Sequence, residues 1–324
     1  MSIQNPEVIN FLNKSEVFLN IQEIPREASI REYYRIEYKD INKILCIDNK
    51  FDSHDYPFLL VQNFLRKNGF NVPEIYDFDI INHLILQSDV GNKDLTHLDD
   101  KNYEYHIKLS LNEILKLQEL NPIPIIETRS FNYEKLNFEI SNTFSAYERI
   151  YEKNKNLPMI SLAVKNFLDE TIHFLSKYKD KVICHRDYHA RNITINDNGS
   201  MSWIDFQDMM MGVPQYDLVS ILYDAYRPIS TKLREKLYEY FKENSKHKNK
   251  KFRENYLTQA LQRSFKALGT YFVMFYDKSY EKYGKSIPGC LDNLIEITQL
   301  GRFPDSLYLF FKELRESEEI SKLK

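Results

Sequence analysis

Short aromatic and β-branched runs mark the first part of the chain, and apolar residues at helical spacing mark most of the rest. Tyr33 to Tyr38 and the apolar run Ile44 to Ile47 predict strands, joined by a hairpin turn at Asp40-Ile41-Asn42. A helix is expected over 57–67, with Phe58, Val61, Phe64 and Leu65 on one face and Gly69 at its end. Ile75 to Phe78 and Leu84 to Leu86 predict further strands. The character then changes. Ile107, Leu111, Ile114 and Leu115 repeat at helical spacing within 103–120, and Pro122 and Pro124 close that helix. Further helices are expected over 133–151 and 161–178, then near 217–226, 231–243, 256–275 and 304–314. A short β segment, 182–205, interrupts them.

This pattern predicts an α+β chain with two lobes. A small antiparallel β-rich lobe spans 1–88, and a larger, mostly helical lobe spans 89–324, with the boundary near 87–91. A ligand cleft is the default expectation for such a chain. The charged run from Lys246 to Lys251 is expected to be a solvated loop.

Composition narrows the class. Hydrophobic residues make up 43% and charged residues 28% of 324, enough for a real core, and the formal net charge of -3 gives no basic field for nucleic acid. Three widely spaced cysteines, Cys46, Cys184 and Cys290, offer neither a disulfide framework nor a zinc site. The first residues lack a basic start followed by an apolar run, and no stretch approaches the roughly 20 apolar residues of a membrane helix. A cytoplasmic protein is expected.

The chemistry is concentrated in one segment. An apolar strand, Val182-Ile183-Cys184, delivers His185-Arg186-Asp187-Tyr188-His189-Ala190-Arg191-Asn192. A second ribbon follows, turning at Asp197-Asn198-Gly199 and ending at Asp205. Such a ribbon brings its outer ends, Asn192 and Asp205, together. Phosphoryl transfer needs hard oxygen ligands for magnesium and a carboxylate facing the acceptor hydroxyl. Asp187 suits the base role and Asn192 with Asp205 the metal role, in the H-R-D-x-x-x-x-N spacing followed by a metal-binding Asp. His185 is expected to pack and bond the backbone. Asp217 is expected to brace the loop through backbone hydrogen bonds.

Here the chain resembles the aminoglycoside phosphotransferase and choline kinase family, whose fold is protein-kinase-like. The resemblance rests on the segment just quoted, on Trp203-Ile204-Asp205-Phe206-Gln207-Asp208, and on Gly212-Val213-Pro214-Gln215-Tyr216-Asp217-Leu218. Within that family it is most similar to bacterial kinases that phosphorylate the anomeric hydroxyl of N-acetylmuramate and N-acetylglucosamine. Tyr216 to Asp224, Gln262 to Gly269 and Ser29 to Arg35 carry this likeness. The resemblance implies ATP and magnesium as cofactors, and it implies nucleotide contacts from Ser29, Arg31, Ile47, Gln87 and Asp89. It also implies an acceptor pocket lined by Asp208, Asp224, Arg263 and Lys266.

The chain departs from the family pattern in two places. No glycine-rich loop precedes the second strand; Ala28-Ser29-Ile30-Arg31 stands there. The third strand ends at Asp48, where a lysine is expected, and this leaves Arg31, Arg35 and Lys50 as candidate phosphate cations. Only about ten residues separate Asp205 from Tyr216-Asp217, too few for the peptide-docking segment of a protein kinase. Residues 218–324 hold 20 Lys and Arg against 14 Asp and Glu, which leans away from polycationic antibiotics and toward neutral or anionic acceptors. Aminoglycoside, choline and homoserine-type acceptors stay open, as does a nucleotide-binding pseudokinase.

Overall fold

The computed structural model describes residues 3, 5–14, 16–25, 31–196 and 199–323. In chain order, α1 (Pro6–Leu12) is followed by β1 (Asn20–Ile24), β2 (Glu32–Glu37), β3 (Asn42–Ile47), α2 (Pro57–Lys67), β4 (Ile75–Asp79) and β5 (Leu84–Ser88). Next come α3 (Asp100–Leu117), α4 (Pro124–Glu127), α5 (Tyr133–Lys153), α6 (Leu162–Ser176), β6 (Val182–Cys184), β7 (Ile193–Ile195), β8 (Met201–Trp203) and β9 (Met210–Gly212). The chain ends in α7 (Tyr216–Leu222), α8 (Thr231–Asn244), α9 (Phe252–Phe272), α10 (Ser286–Leu300), α11 (Asp305–Glu316) and α12 (Glu318–Ser321). Two units emerge: Met1–Leu95 with Asn192–Asp208, and Thr96–Arg191 with Met209–Lys324.

The first unit is built on a five-stranded antiparallel sheet in the order β1-β2-β3-β5-β4. Register aligns Tyr34 with Leu45 and Leu45 with Leu86, and strand alternation puts Ile36, Ile47 and Leu84 on the same face. That face buries Val8, Phe11 and Leu12 of α1. The opposite face carries Tyr33, Arg35, Ile44, Cys46, Ile85 and Gln87. Asn192–Asp208 belongs to this unit although the sequence division at 88/89 separates them. Its β7–β8 hairpin is tied down where Trp203 N–H donates to the Asn71 carbonyl at 2.9 Å and Ile195 N–H to the Lys93 carbonyl at 2.8 Å. Phe58 of α2 stacks on Phe206 with centroids 5.1 Å apart. In the hairpin turn, Asp197 and Asn198 lie outside the described residues, and Gly199 takes a φ of 79° that suits glycine.

The second unit is helical. Its two longest helices, α5 and α9, pack closely because position 269 is glycine: a Cβ there would fall 2.2 Å from Thr143 Oγ1 and 2.7 Å from Thr143 Cα. Thr143 in turn donates its hydroxyl to the Phe265 carbonyl at 3.1 Å. β6 pairs antiparallel with β9, Val182 opposite Gly212, and every residue of α7 is buried.

Six elements, α1, β1, α4, β9, α10 and α12, escape the sequence pattern. α10 opens Ser286-Ile287-Pro288-Gly289, which reads as a loop. A proline in the first turn costs no helical hydrogen bond, because N–H groups there have no intrahelical acceptor. The helix expected to reach 275 stops at Phe272 and winds into a π-turn over Val273–Asp277. Among the described residues, no helix is long and apolar enough to cross a membrane.

Candidate active site

In the second unit, β6 feeds the loop that bears Asp187. Arg186 sits in the left-handed region, with a φ of 81° that a residue with a Cβ rarely adopts. Asp217, fully buried at the start of α7, holds the strained turn: its carboxylate accepts the His185 N–H at 2.7 Å and the Arg186 N–H at 3.0 Å. Asp224 does the same one turn further on, accepting Ala190 N–H at 2.8 Å and Tyr226 N–H at 2.7 Å. Burial pushes Asp217 up to about 7 and Asp224 up to about 6, against the lowering effect of these bonds. His185 is 1% exposed and its ring meets Tyr188 edge-on, as a packing residue does.

Asp187 faces cations from α9. Lys266 Nζ stands 3.5 Å and Arg263 Nη2 3.8 Å from its Oδ1. The two residues lie three apart on the helix, hence on one face. Burial disfavours the Asp187 carboxylate, but Lys266, Arg263 and Arg186 outweigh it and hold the group well below the usual carboxylate range. Burial and the neighbouring Arg263 lower Lys266. Burial brings His189 down to about 3, so its imidazole is neutral at physiological pH.

Behind these cations runs a polar network that sequence reasoning missed. Glu139 of α5, 5% exposed, lies 3.9 Å from Arg186 Nη2 and accepts from Gln262 Nε2 at 3.1 Å. Gln259 Nε2 donates to Gln262 at 2.8 Å, and Arg263 Nε donates to the Ser220 hydroxyl at 3.1 Å. An acidic residue on an otherwise apolar helical face, one turn before Thr143, was the available signal. A cavity of about 20 Å³ between His189, Asp224, Arg263 and Tyr271 has room for one water and is too small for a sugar ring.

In the first unit, Asn192 Nδ2 lies 3.5 Å from Asp205 Oδ2, and Gln207 Nε2 donates to Asp205 Oδ1 at 2.7 Å. Asp205 is exposed and adopts a left-handed φ of 60°. An amide and a carboxylate oxygen at the two ends of a hairpin form a donor set that suits magnesium, which takes one or two protein oxygens and keeps several waters.

The expected nucleotide residues divide. Ser29 lies outside the described residues. Arg31 Nε donates to Asp48 Oδ2 at 2.6 Å and Nη2 to the Tyr56 hydroxyl at 3.2 Å, while the Tyr56 hydroxyl donates to Asp48. Burial works against the Asp48 carboxylate, yet bonds from Tyr56, Arg31 and the Lys50 N–H keep it below its ordinary value. Gln87, 8% exposed, has an Oε1 without a hydrogen-bond partner among the described residues, on the face shared with Tyr33, Arg35 and Cys46. Asp89 is held by Arg35, Nε at 2.5 Å and Nη2 at 3.3 Å, and accepts the Gly91 N–H at 2.9 Å.

Two expectations need correction. Ile47 points to the α1 side of the sheet and is 3% exposed, because strand alternation carries it away from the face of Tyr33 and Cys46. Asp224 lines a cavity of water size and not one of sugar size, and two backbone N–H groups engage its two oxygens. Of the other acceptor residues, Arg263 and Lys266 gather at Asp187, whereas the exposed Asp208 belongs to the first unit.

Comparison with known proteins places this chemistry in a family. The model of the phosphotransferase enzyme family abbreviated APH matches residues 20–248. The chain therefore belongs to that family. It is 25% identical over 307 residues to the N-acetylmuramate/N-acetylglucosamine kinase of Neisseria meningitidis serogroup B, covering 91% of this chain and 90% of that one. It is 24% identical over 204 residues to the kinase of the same name from Pseudomonas aeruginosa, covering 62% and 58%. Among solved structures, spectinomycin phosphotransferase in complex with ADP and spectinomycin aligns with a TM-score of 0.63 at 14% identity, over 97% of this chain and 100% of that one. An ADP-bound aminoglycoside phosphotransferase aligns with a TM-score of 0.60 at 13% identity, over 90% and 99%. These structural likenesses bear out the α+β, kinase-like fold class.

Proposed function

We propose that the chain transfers the terminal phosphoryl group of ATP to a hydroxyl of an amino sugar, N-acetylmuramate or N-acetylglucosamine. The observation that carries the reading is the convergence of Lys266 and Arg263 on Asp187, on a loop braced by Asp217 and Asp224. A carboxylate held ionised in this way is a weak base, which suits a loose transition state in which the hydroxyl is oriented first and loses its proton late. The acceptor oxygen forms its bond to the γ-phosphorus as the bond to the β–γ bridging oxygen breaks. Asp187 takes the hydroxyl proton and ADP leaves. Asn192 and Asp205 would hold magnesium, which neutralises charge on the phosphate oxygens. Gln87 and the backbone through Asp89 would read the base, with Ser29 and Arg31 on the phosphates.

Two cations beside the base disfavour a polycationic acceptor, since like charges in a pocket repel. The named relatives act on amino sugars, which supports the same choice. An ATP-consumption screen over N-acetylmuramate, N-acetylglucosamine, other hexoses, choline and kanamycin tests it. Turnover of the acetylated sugars is expected. Preference for kanamycin would overturn the sugar assignment, and silence across the panel would favour a non-catalytic nucleotide binder.

A further inference from the structure

The first unit places a carboxylate, Asp48, where the kinase pattern calls for a phosphate-binding lysine. An unneutralised acid at that spot would repel a nucleotide. It is 2% exposed, directly follows β3, and continues the face of Ile44 and Cys46. Three cations were candidates to replace the lysine. Arg35 stands opposite Ile44, four residues before Asp48, and gives its two bonds to Asp89. Lys50 is exposed and contributes its backbone N–H, at 3.0 Å, to Asp48. Arg31 reaches the Asp48 carboxylate itself and the Tyr56 hydroxyl, at the end of β3 where the lysine is expected.

We propose that Arg31 is the cation that meets the nucleotide phosphates in this chain, and that Asp48 and Tyr56 are positioning residues that hold its guanidinium toward them. A guanidinium is a planar fork with five donors, so one edge can be fixed by a carboxylate while another takes a phosphate oxygen; an ammonium on a flexible stem offers no such division. The acid at the end of β3 is then the counterpart of a cation displaced one strand over. Alternation continued one residue before β2 puts Arg31 on the face of Tyr33, Cys46 and Gln87, away from the α1 core. Burial of Asp48 is offset by three bonds, from Arg31, Tyr56 and the Lys50 N–H. The proposal rests on the nucleotide-dependent reading above.

Calorimetric titration of the full chain with magnesium ADP and, separately, with adenosine separates phosphate contacts from base contacts. Arg31→Met should weaken ADP about thirtyfold and leave adenosine within about twofold, the size expected for a charge-assisted contact. Asp48→Asn should weaken ADP about fivefold with adenosine again unchanged, and Tyr56→Phe, the milder probe if Asp48→Asn melts early, about twofold. An Arg31→Met protein that binds ADP like wild type, or that loses ADP and adenosine equally, overturns the assignment of the cation. Unchanged ADP affinity in both Asp48→Asn and Tyr56→Phe overturns the positioning role. Wild-type protein that binds neither ligand overturns the kinase reading itself, which no variant result can imitate.

Discussion

Asp48 in the first unit and Asp187 in the second each face an arginine, and they are built for opposite ends. Asp48 is sealed at 2% exposure, with Arg31 Nε at 2.6 Å and a backbone N–H at 3.0 Å. Asp187 keeps 25% of its side chain exposed, and its cations stand off at 3.5 and 3.8 Å, beyond hydrogen-bond length. Both carboxylates are held below their ordinary range, so charge state does not distinguish them. Distance and exposure do. A carboxylate in tight contact on both oxygens serves as a strut for its arginine. A carboxylate with loosely placed counter-charges stays ionised and still faces a reactant. Titration behaviour alone would have grouped the two together.

The comparison breaks first at Asp187. Asp187→Asn removes the proton acceptor and keeps the shape, so kcat should fall about thousandfold, within the range for a lost general base. Magnesium ADP affinity, measured by calorimetry, should stay within about twofold, whereas Asp205→Ala should weaken it by about tenfold through the metal. Unchanged turnover in Asp187→Asn would place this aspartate among the struts.

The stand-off around Asp187 depends on how closely α5 and α9 pack, and Gly269 sets that approach. A methyl at 269 would collide with the Thr143 backbone as well as its side chain, so the helices must part. Gly269→Ala should cost about 2 kcal/mol in urea unfolding, as overpacking of a tight contact does, and should lower kcat by shifting Arg263 and Lys266 on the same helix. Stability equal to wild type would mean that the helices adjust without strain.

Much of this was legible in the sequence, and the reasons differ by region. The segment from His185 to Asp205 reads clearly because phosphoryl transfer demands fixed residue types at fixed spacing, and the apolar strands around them show in the pattern. The α9 residues Arg263 and Lys266 were nameable through the resemblance of Gln262 to Gly269 to a helix of the amino-sugar kinases; the apolar spacing alone does not single them out. Ile47 was misplaced because an apolar strand of four residues, Ile44 to Ile47, is buried on both faces and so carries no alternation from which to read direction. Asp224 was misread because a buried acid that accepts backbone N–H bonds beside a water-sized cavity looks, in sequence, like one that faces a sugar. The Arg31–Asp48–Tyr56 cluster was invisible: its members come from three segments joined only by the fold. The grouping of Asn192–Asp208 with the first unit rests on contacts about 100 residues apart, for which no local signal exists.

Lys266→Met sharpens the same comparison through pH. In the wild-type protein Lys266 and Arg263 lower Asp187, so protonation of Asp187 should not limit the rate until the pH is well below about 4. Removing the Lys266 charge raises the Asp187 value, protonates more of it at any given acidic pH, and moves the acid limb of the kcat profile upward. At neutral pH the loss should be about tenfold, the order of one charge at this distance. The folding linkage has the same sign. Asp187, lowered in the folded state, contributes stability above its unfolded value that is lost as pH falls through the folded one. Asp217 and Asp224, raised to about 7 and about 6, act oppositely: they bind protons on folding, so their contribution is lost as pH rises from about 4 through those values. Asp224→Asn should therefore flatten the decline in melting temperature between about pH 5 and about pH 8.

The smallest effect is expected at the strut. Tyr56→Phe deletes one hydroxyl that donates to the buried Asp48 carboxylate, while Arg31 Nε and the Lys50 N–H remain. One of the three bonds to Asp48 is lost, together with the bond that Arg31 Nη2 gives the hydroxyl at 3.2 Å, and no cavity is opened, so the cost in urea unfolding should be about 1 kcal/mol near neutral pH. The Tyr56 bond also helps to hold Asp48 below its ordinary value. Stability from a lowered carboxylate is present above the unfolded value of about 3.9 and disappears as pH falls through the folded value. The gap between wild type and Tyr56→Phe should thus shrink as unfolding is repeated at successively lower pH below the unfolded value, as Asp48 takes up a proton. A gap of the same size at both ends of that range would mean that the hydroxyl does not answer to an ionised Asp48, and the contrast with Asp187 would lose its tight member.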